Sequence, residues 1–161
     1  MQICNNIDTN EKGHLTFAGF DTSELAKRYG TPLYLMDEDK IRQKMRIYKG
    51  AMERHFGNGS APIYASKAAS FKRIYCIAKE EGIGVDVVSA GEMFTALSAG
   101  YDIGMAFFHG NNKTDEDIEF AIKNSIGHFV VDNEEELDAL DSEAAARGIV
   151  QKILIRIAPG V

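Results

Sequence analysis

The stretch Ile63-Tyr64-Ala65-Ser66-Lys67-Ala68-Ala69 is an apolar run that leads into a lysine surrounded by small side chains. Read as a strand over Ile63 to Ser66, its alternation puts Ile63, Ala65 and Lys67 on one face and Tyr64 and Ser66 on the other. Lys67 then emerges at the C-terminal end of the strand, with room around its amine for something large. A strand-end lysine ordinarily reaches into water, and this stretch alone does not separate the two readings.

The residues beyond Ala69 set the fold. Strands are predicted at Ile63 to Ser66, Val85 to Val88, Ala106 to Phe108, Phe129 to Val131 and Ile153 to Ile157. Helices are predicted between them, at Phe71 to Glu81, Gly91 to Ala99, Thr114 to Asn124 and Asn133 to Arg147. Successive strands start roughly 21 to 25 residues apart, the unit length of a parallel βαβ array. Gly82, Gly84, Gly100, Gly104, Gly127 and Gly148 punctuate the returns from helix to strand. Upstream, a long helix is expected from Asp37 to about Phe56, with Ile41, Met45, Tyr48 and Met52 at helical spacing.

Such an array builds either an open doubly wound sheet or a closed (β/α)8 barrel. No Gly-x-Gly-x-x-Gly follows the first strand, which counts against the dinucleotide-binding open sheet. A barrel needs eight strands, and five are read here before the chain ends at Ala158-Pro159-Gly160-Val161. The expectation is a partial (β/α)8 barrel, about five βα units of a larger protein. Residues 1–30 hold a strand-like piece, His14 to Phe20, with no following partner strand, and a short helix ending at Gly30. Residues 31–161 are assigned to the barrel.

Composition narrows the function. The 161 residues are 45% hydrophobic, enough for a real core, and the formal net charge of -6 offers no basic excess for nucleic acid or an anionic membrane. The carboxylates over Thr114 to Glu119 and Asp132 to Asp141 read as solvated helix faces. Two cysteines, Cys4 and Cys76, show no metal spacing, and neither a signal peptide nor a membrane-spanning run is visible, so a cytoplasmic location is expected.

In a barrel, functional side chains gather where strands end. Asp86 interrupts an apolar strand, and a carboxylate there needs a partner. Glu92 opens the next helix and is equally explained by attraction to the helix N-terminus. His109-Gly110-Asn111-Asn112-Lys113-Thr114 is a polar loop that serves a ligand or caps a helix. Arg156, on the opposite strand face from Ile153, Ile155 and Ile157, wants an anion, either a structural carboxylate such as Asp86 or a ligand group. His14, His55 and His128 have no metal spacing, and Cys76 reads as core.

Taken together, Tyr64-Ala65-Ser66-Lys67-Ala68, Gly84-Val85-Asp86-Val87-Val88-Ser89-Ala90-Gly91-Glu92, Phe108-His109-Gly110-Asn111-Asn112-Lys113 and Ile155-Arg156-Ile157-Ala158-Pro159-Gly160-Val161 resemble the diaminopimelate decarboxylases. Gly30-Thr31-Pro32-Leu33-Tyr34 matches as well, so the likeness runs from about Gly30 to the last residue. These belong to the wider family of pyridoxal-phosphate decarboxylases that includes enzymes acting on ornithine and arginine. Ala158 stands where asparagine is common, and Ala90 where glycine is common.

The resemblance implies that Lys67 is the catalytic lysine, holding pyridoxal 5'-phosphate as a Schiff base, and that Asp86, Arg156, His109 and Glu92 line the cofactor pocket. It implies a small amino-acid substrate, meso-2,6-diaminopimelate decarboxylated to L-lysine and carbon dioxide, and a homodimeric full-length enzyme. It assigns the His14 to Phe20 piece to a C-terminal β domain. The family's phosphate loop, pyridine-nitrogen carboxylate and catalytic cysteine are expected beyond residue 161, so this chain alone is expected to be inactive. The alternatives are a decarboxylase of another basic amino acid, a non-catalytic regulatory relative, and an unrelated barrel with other lysine-imine chemistry. An attacking lysine must be deprotonated, which burial and a nearby cation would favour.

Overall fold

Five parallel strands in chain order make the larger of two units in the computed structural model, which describes residues 4–160. The strands are β4 (Ile63–Ala65), β5 (Gly84–Val87), β6 (Ala106–Phe108), β7 (His128–Val131) and β8 (Ile153–Ile155). Helices α3 (Lys72–Glu81), α4 (Ala90–Ser98), α5 (Asp115–Lys123) and α6 (Glu134–Ala146) alternate with them. The order β4-β5-β6-β7-β8 never reverses, so there is no topological switch point. Right-handed crossovers in unreversed order keep every helix on one face. This is a sector of a (β/α)8 barrel, as the strand spacing predicts.

The core lies on the helical side. Val85, Val87, Ala106, Phe108, Phe129 and Val131 are buried there against Ile77, Met93, Ile118 and Leu140. Each large side chain so buried contributes on the order of 1.5–3 kcal/mol. The residues between them alternate onto the other face. Ala65, Asp86, Phe107 and His128 stand in one paired row across four strands, all half-buried.

Helix starts follow their caps. Ser89 accepts from the Glu92 N–H, Thr114 and Asp117 form a capping box, and Asn133 accepts from the Glu136 N–H. The glycines are not one class, although their spacing marks them all as helix stops. Gly82, Gly100 and Gly148 are left-handed and do end helices. After α5 it is Ser125 that takes the left-handed conformation, at φ 60°. Gly127 is needed for a different reason: a Cβ there would lie 2.0 Å from the Gly104 carbonyl oxygen.

The other unit ends at Lys44, inside the long helix α2 (Glu38–Phe56). It corrects the reading of His14 to Phe20 as a strand without a local partner. Strands β1 (Ile7–Thr9), β2 (Leu15–Phe17) and β3 (Phe20–Asp21) form an antiparallel meander. The break falls at Ala18-Gly19, where both φ angles are positive, 49° and 81°, as a two-residue hairpin turn requires. An alanine in that position hides the turn from sequence. Leu33 to Met36, apolar enough to suggest an extended run, joins no strand.

Asp21 ties this small unit together. It caps α1 (Thr22–Tyr29) by accepting from the Ser23 and Glu24 N–H groups, and its other oxygen meets His14 Nδ1 at 2.8 Å and accepts from Asn10 Nδ2 at 2.9 Å. The His14 contact, with Asn10 and the two backbone donors, holds the Asp21 carboxyl at about 2. Because the folded value is depressed, the stabilisation is present above the unfolded value near 3.9 and is lost as pH falls toward the folded one. The amide shifts of Ser23 and Glu24, which report the folded state, should therefore titrate together with a midpoint at about pH 2. Asp21→Ala should remove that transition, and an unchanged acid titration in the variant would contradict the assignment.

Candidate active site

Strand β4 stops one residue sooner than alternation predicts, and Ser66–Ala68 curl into a single 3-10 turn. Ser66 is drawn inward and fully buried, while Lys67 is left exposed at the apex. The cause is chemical. The Ser66 hydroxyl lies 2.8 Å from the Asp86 carbonyl oxygen and 2.6 Å from Glu92 Oε2, so the chain turns to bring it to acceptors on β5 and α4. At the far end of the turn the Tyr64 hydroxyl donates to the Ala69 carbonyl at 3.0 Å. Burial pushes the Tyr64 phenol up, which keeps it a donor.

Asp86 sits in β5 on the face opposite the helices. Burial raises its carboxyl above the usual range, against the opposing pull of His109 and of the Lys67 charge. His109 leaves the end of β6 with its backbone N–H bonded to the Val87 carbonyl at 2.9 Å, and its ring Nδ1 is 3.4 Å from Asp86 Oδ2. That is long for a strong hydrogen bond but close enough for electrostatic coupling. Three of the expected residues, Lys67, Asp86 and His109, are thus brought together by the pairing of β4, β5 and β6. The charged group that Lys67 acts on here is the Asp86 carboxylate, and Lys67 is exposed.

Glu92 and Arg156 each have a protein partner. Glu92 turns its Oε2 to Ser66 and to the Val88 N–H, the latter at 2.9 Å, so it braces the β4 turn and the end of β5. The Arg156 guanidinium pairs with Asp132 at 2.8 Å, not with Asp86. Both Arg156 and Asp132 follow the C-terminal ends of neighbouring strands, β8 and β7, so adjacency in the sheet selects the partner. Arg156 is about half exposed, leaving part of its guanidinium free for an anion.

The polar loop after β6 is anchored by its last cation. Lys113 is buried, donating to the Gly110 carbonyl at 2.8 Å, the Val130 carbonyl at 2.9 Å and Glu136 Oε1 at 2.6 Å, with its Nζ 5.4 Å from the Phe108 ring centroid. Glu136 is buried too, so the reading of Asp132 to Asp141 as a solvated face fails at both Asp132 and Glu136. His128 stacks on Phe107 with centroids 4.6 Å apart and a buried Nδ1 without a partner. Among the described residues no cluster of His, Cys, Asp and Glu could hold a metal ion.

Sequence reasoning did not single out Ser66, Asp132, Lys113 or Glu136 by role. Ser66 reads as merely small, and Glu136 as one of three glutamates opening a helix. Only the N-cap spacing Asn133 to Glu136 carried a signal, and it points to a cap and not to the lysine.

A lysine on a fastened turn, beside a half-buried carboxylate and an imidazole at the C-terminal edge of a barrel sheet, is suited to holding a carbonyl compound through its amine. Known proteins are similar to this chain over most of its length. The chain is 45% identical, over its full length, to a diaminopimelate decarboxylase of Bacillus methanolicus, of which it covers 37%. The crystal structure of diaminopimelate decarboxylase from M. jannaschii superposes with a TM-score of 0.86 at 32% identity, over 98% of this chain and 37% of that one. Diaminopimelate decarboxylase from Helicobacter pylori, complexed with L-lysine, gives 0.78 at 36% identity over 86% of this chain and 34% of that one. The chain therefore spans little more than a third of the length of the relatives it matches. The family model for the pyridoxal binding domain of pyridoxal-dependent decarboxylases matches residues 38–161, and the chain belongs to that family.

Proposed function

We propose that the whole protein decarboxylates meso-2,6-diaminopimelate to L-lysine and carbon dioxide with pyridoxal 5'-phosphate, and that Lys67 carries the cofactor through its side-chain amine. The observation that carries the reading is the Lys67 turn itself: an exposed amine on a backbone fixed at both ends, with Asp86 and His109 alongside. Ala65 and Ala68 keep the approach to the amine free of bulk. The donor set fits the group, because an amine accepts its aldehyde while the imidazole and the raised carboxyl offer hydrogen-bonding and proton-holding atoms beside it.

When bound, pyridoxal phosphate supplies an aromatic electron sink for the electron pair left as the carboxylate departs. The chain's own part is positional. The turn aims the Lys67 amine, Asp86 sets the charge of the pocket floor, and His109 closes the side formed by β6. Arg156, half exposed, is placed to meet an anionic group of cofactor or substrate. An intact imine lysine favours an enzyme over a non-catalytic relative. The L-lysine in the H. pylori complex supports a diamino acid over other substrates.

We place the working protein in the cytoplasm as a homodimer acting on a small molecule. The net charge of -6, the two free cysteines and the family resemblance support this, and among the described residues no helix is long and apolar enough to cross a membrane. The meander over residues 7–21, with short edge strands, suits addition to the sheet of a β domain. The test is direct: the whole protein with pyridoxal phosphate should release carbon dioxide from meso-diaminopimelate and form L-lysine, with ornithine, arginine and lysine as competing substrates. Preference for one of those three would overturn the substrate, and no release from any would overturn the reaction.

A further inference from the structure

We propose that Ser66 and Glu92 act as one positioning unit for Lys67, with Glu92 working through Ser66 and not by touching the cofactor. The inference rests on the reading that Lys67 carries pyridoxal phosphate. Ser66 directly precedes Lys67 and is fully buried, so its hydroxyl must be satisfied inside the protein. One hydroxyl proton has two acceptors in reach, the Asp86 carbonyl at 2.8 Å and Glu92 Oε2 at 2.6 Å. The shorter contact, to a carboxylate, is the stronger acceptor.

Glu92 is itself held. The Val88 N–H donates to the same Oε2 at 2.9 Å, and the Glu92 N–H is bonded to Ser89 Oγ at 3.2 Å as part of the α4 cap. The oxygen that Ser66 meets is therefore fixed by the end of β5 and the first turn of α4. It is directed at a buried hydroxyl and not at the half-buried face on which Asp86 and Phe107 stand. With Tyr64 bonded to the Ala69 carbonyl on the other side, the backbone on either side of Lys67 is clamped. The amine is left with side-chain freedom only, which lowers the entropy lost when it engages a bound group.

The experiment uses the whole protein and follows the rate at which borohydride traps pyridoxal phosphate on Lys67, by peptide mapping, with Lys72 as the internal control, alongside kcat and KM. Ser66→Ala and Glu92→Ala should each slow Lys67 labelling about tenfold, the weight of one hydrogen bond to a charged group, and leave Lys72 labelling unchanged. The double variant should lose no more than either single one, because both remove the same contact. Glu92→Gln keeps an acceptor and should recover most of the rate, and it serves also if Ser66→Ala folds poorly. Wild-type labelling of Lys67 in Ser66→Ala would overturn the proposal. So would additive losses in the double variant, which would mean that Glu92 touches the cofactor on its own account. If the unaltered protein takes no label at Lys67, the assignment of the lysine falls first and the positioning role with it.

Discussion

Lys67→Ala should eliminate the borohydride-trapped pyridoxal adduct from its peptide and reduce carbon dioxide release by the whole protein by on the order of 10²- to 10⁴-fold, the range of a positioned proton-transferring group. The same change should barely move stability. Lys67 is exposed at the apex of its turn, and the turn is held by Ser66, Tyr64 and the Ala69 N–H, none of which needs the lysine side chain. Exposed substitutions of this kind stay within about 0.5 kcal/mol. Lys67→Arg should be as inactive as alanine, since a guanidinium stays protonated and cannot condense with an aldehyde. Label that persists at full level in Lys67→Ala, carried by Lys72 or Lys79, would show that the amine at 67 is not the attachment point.

The second large effect is on folding. Lys113→Met should cost about 3–5 kcal/mol, because it leaves the Glu136 carboxylate buried without its cation. The Gly110 and Val130 carbonyls lose a donor at the same time. The side chains of Lys113 and Glu136 are only 1% and 5% exposed, so water cannot replace what is removed. Arg156→Met makes the contrast: its pair with Asp132 is 48% and 21% exposed, and an ion pair so placed is worth about 0–1 kcal/mol. Replacing both partners, as Lys113→Met with Glu136→Leu, should recover most of the loss, since no charge is then stranded. Urea midpoints at constant m-value measure each of these variants. A loss below about 1 kcal/mol for Lys113→Met would refute the burial argument.

These two lysines mark opposite ends of one design. Lys67 is left exposed on a turn that its neighbours fasten, and the Lys113 side chain is buried because it does the fastening. By joining the Gly110 and Val130 carbonyls to Glu136, Lys113 sets where the loop after β6 leaves the sheet, and that loop carries His109 to Asp86.

Much of the fold is legible in the residues alone. Strands expected from apolar runs of a few residues fall within two residues of β4 to β8, because parallel strands buried under helices need uninterrupted apolar character. Helix starts are legible from Thr114 and Asn133, whose side chains do cap α5 and α6. The meander over residues 7–21 is not, since its turn rests on Ala18 in a conformation that alanine seldom adopts.

By itself the sequence determined the βα order and the family, both of which depend on local periodicity and on motifs contained in a few residues. Only the tertiary structure decided the partners. Ser66 meets Glu92 26 residues on, Lys113 meets Glu136 23 residues on, and Arg156 meets Asp132 24 residues back. Which of several carboxylates a cation or hydroxyl reaches is set by strand adjacency and by what is left dry, and neither is written in the spacing of the residues along the chain.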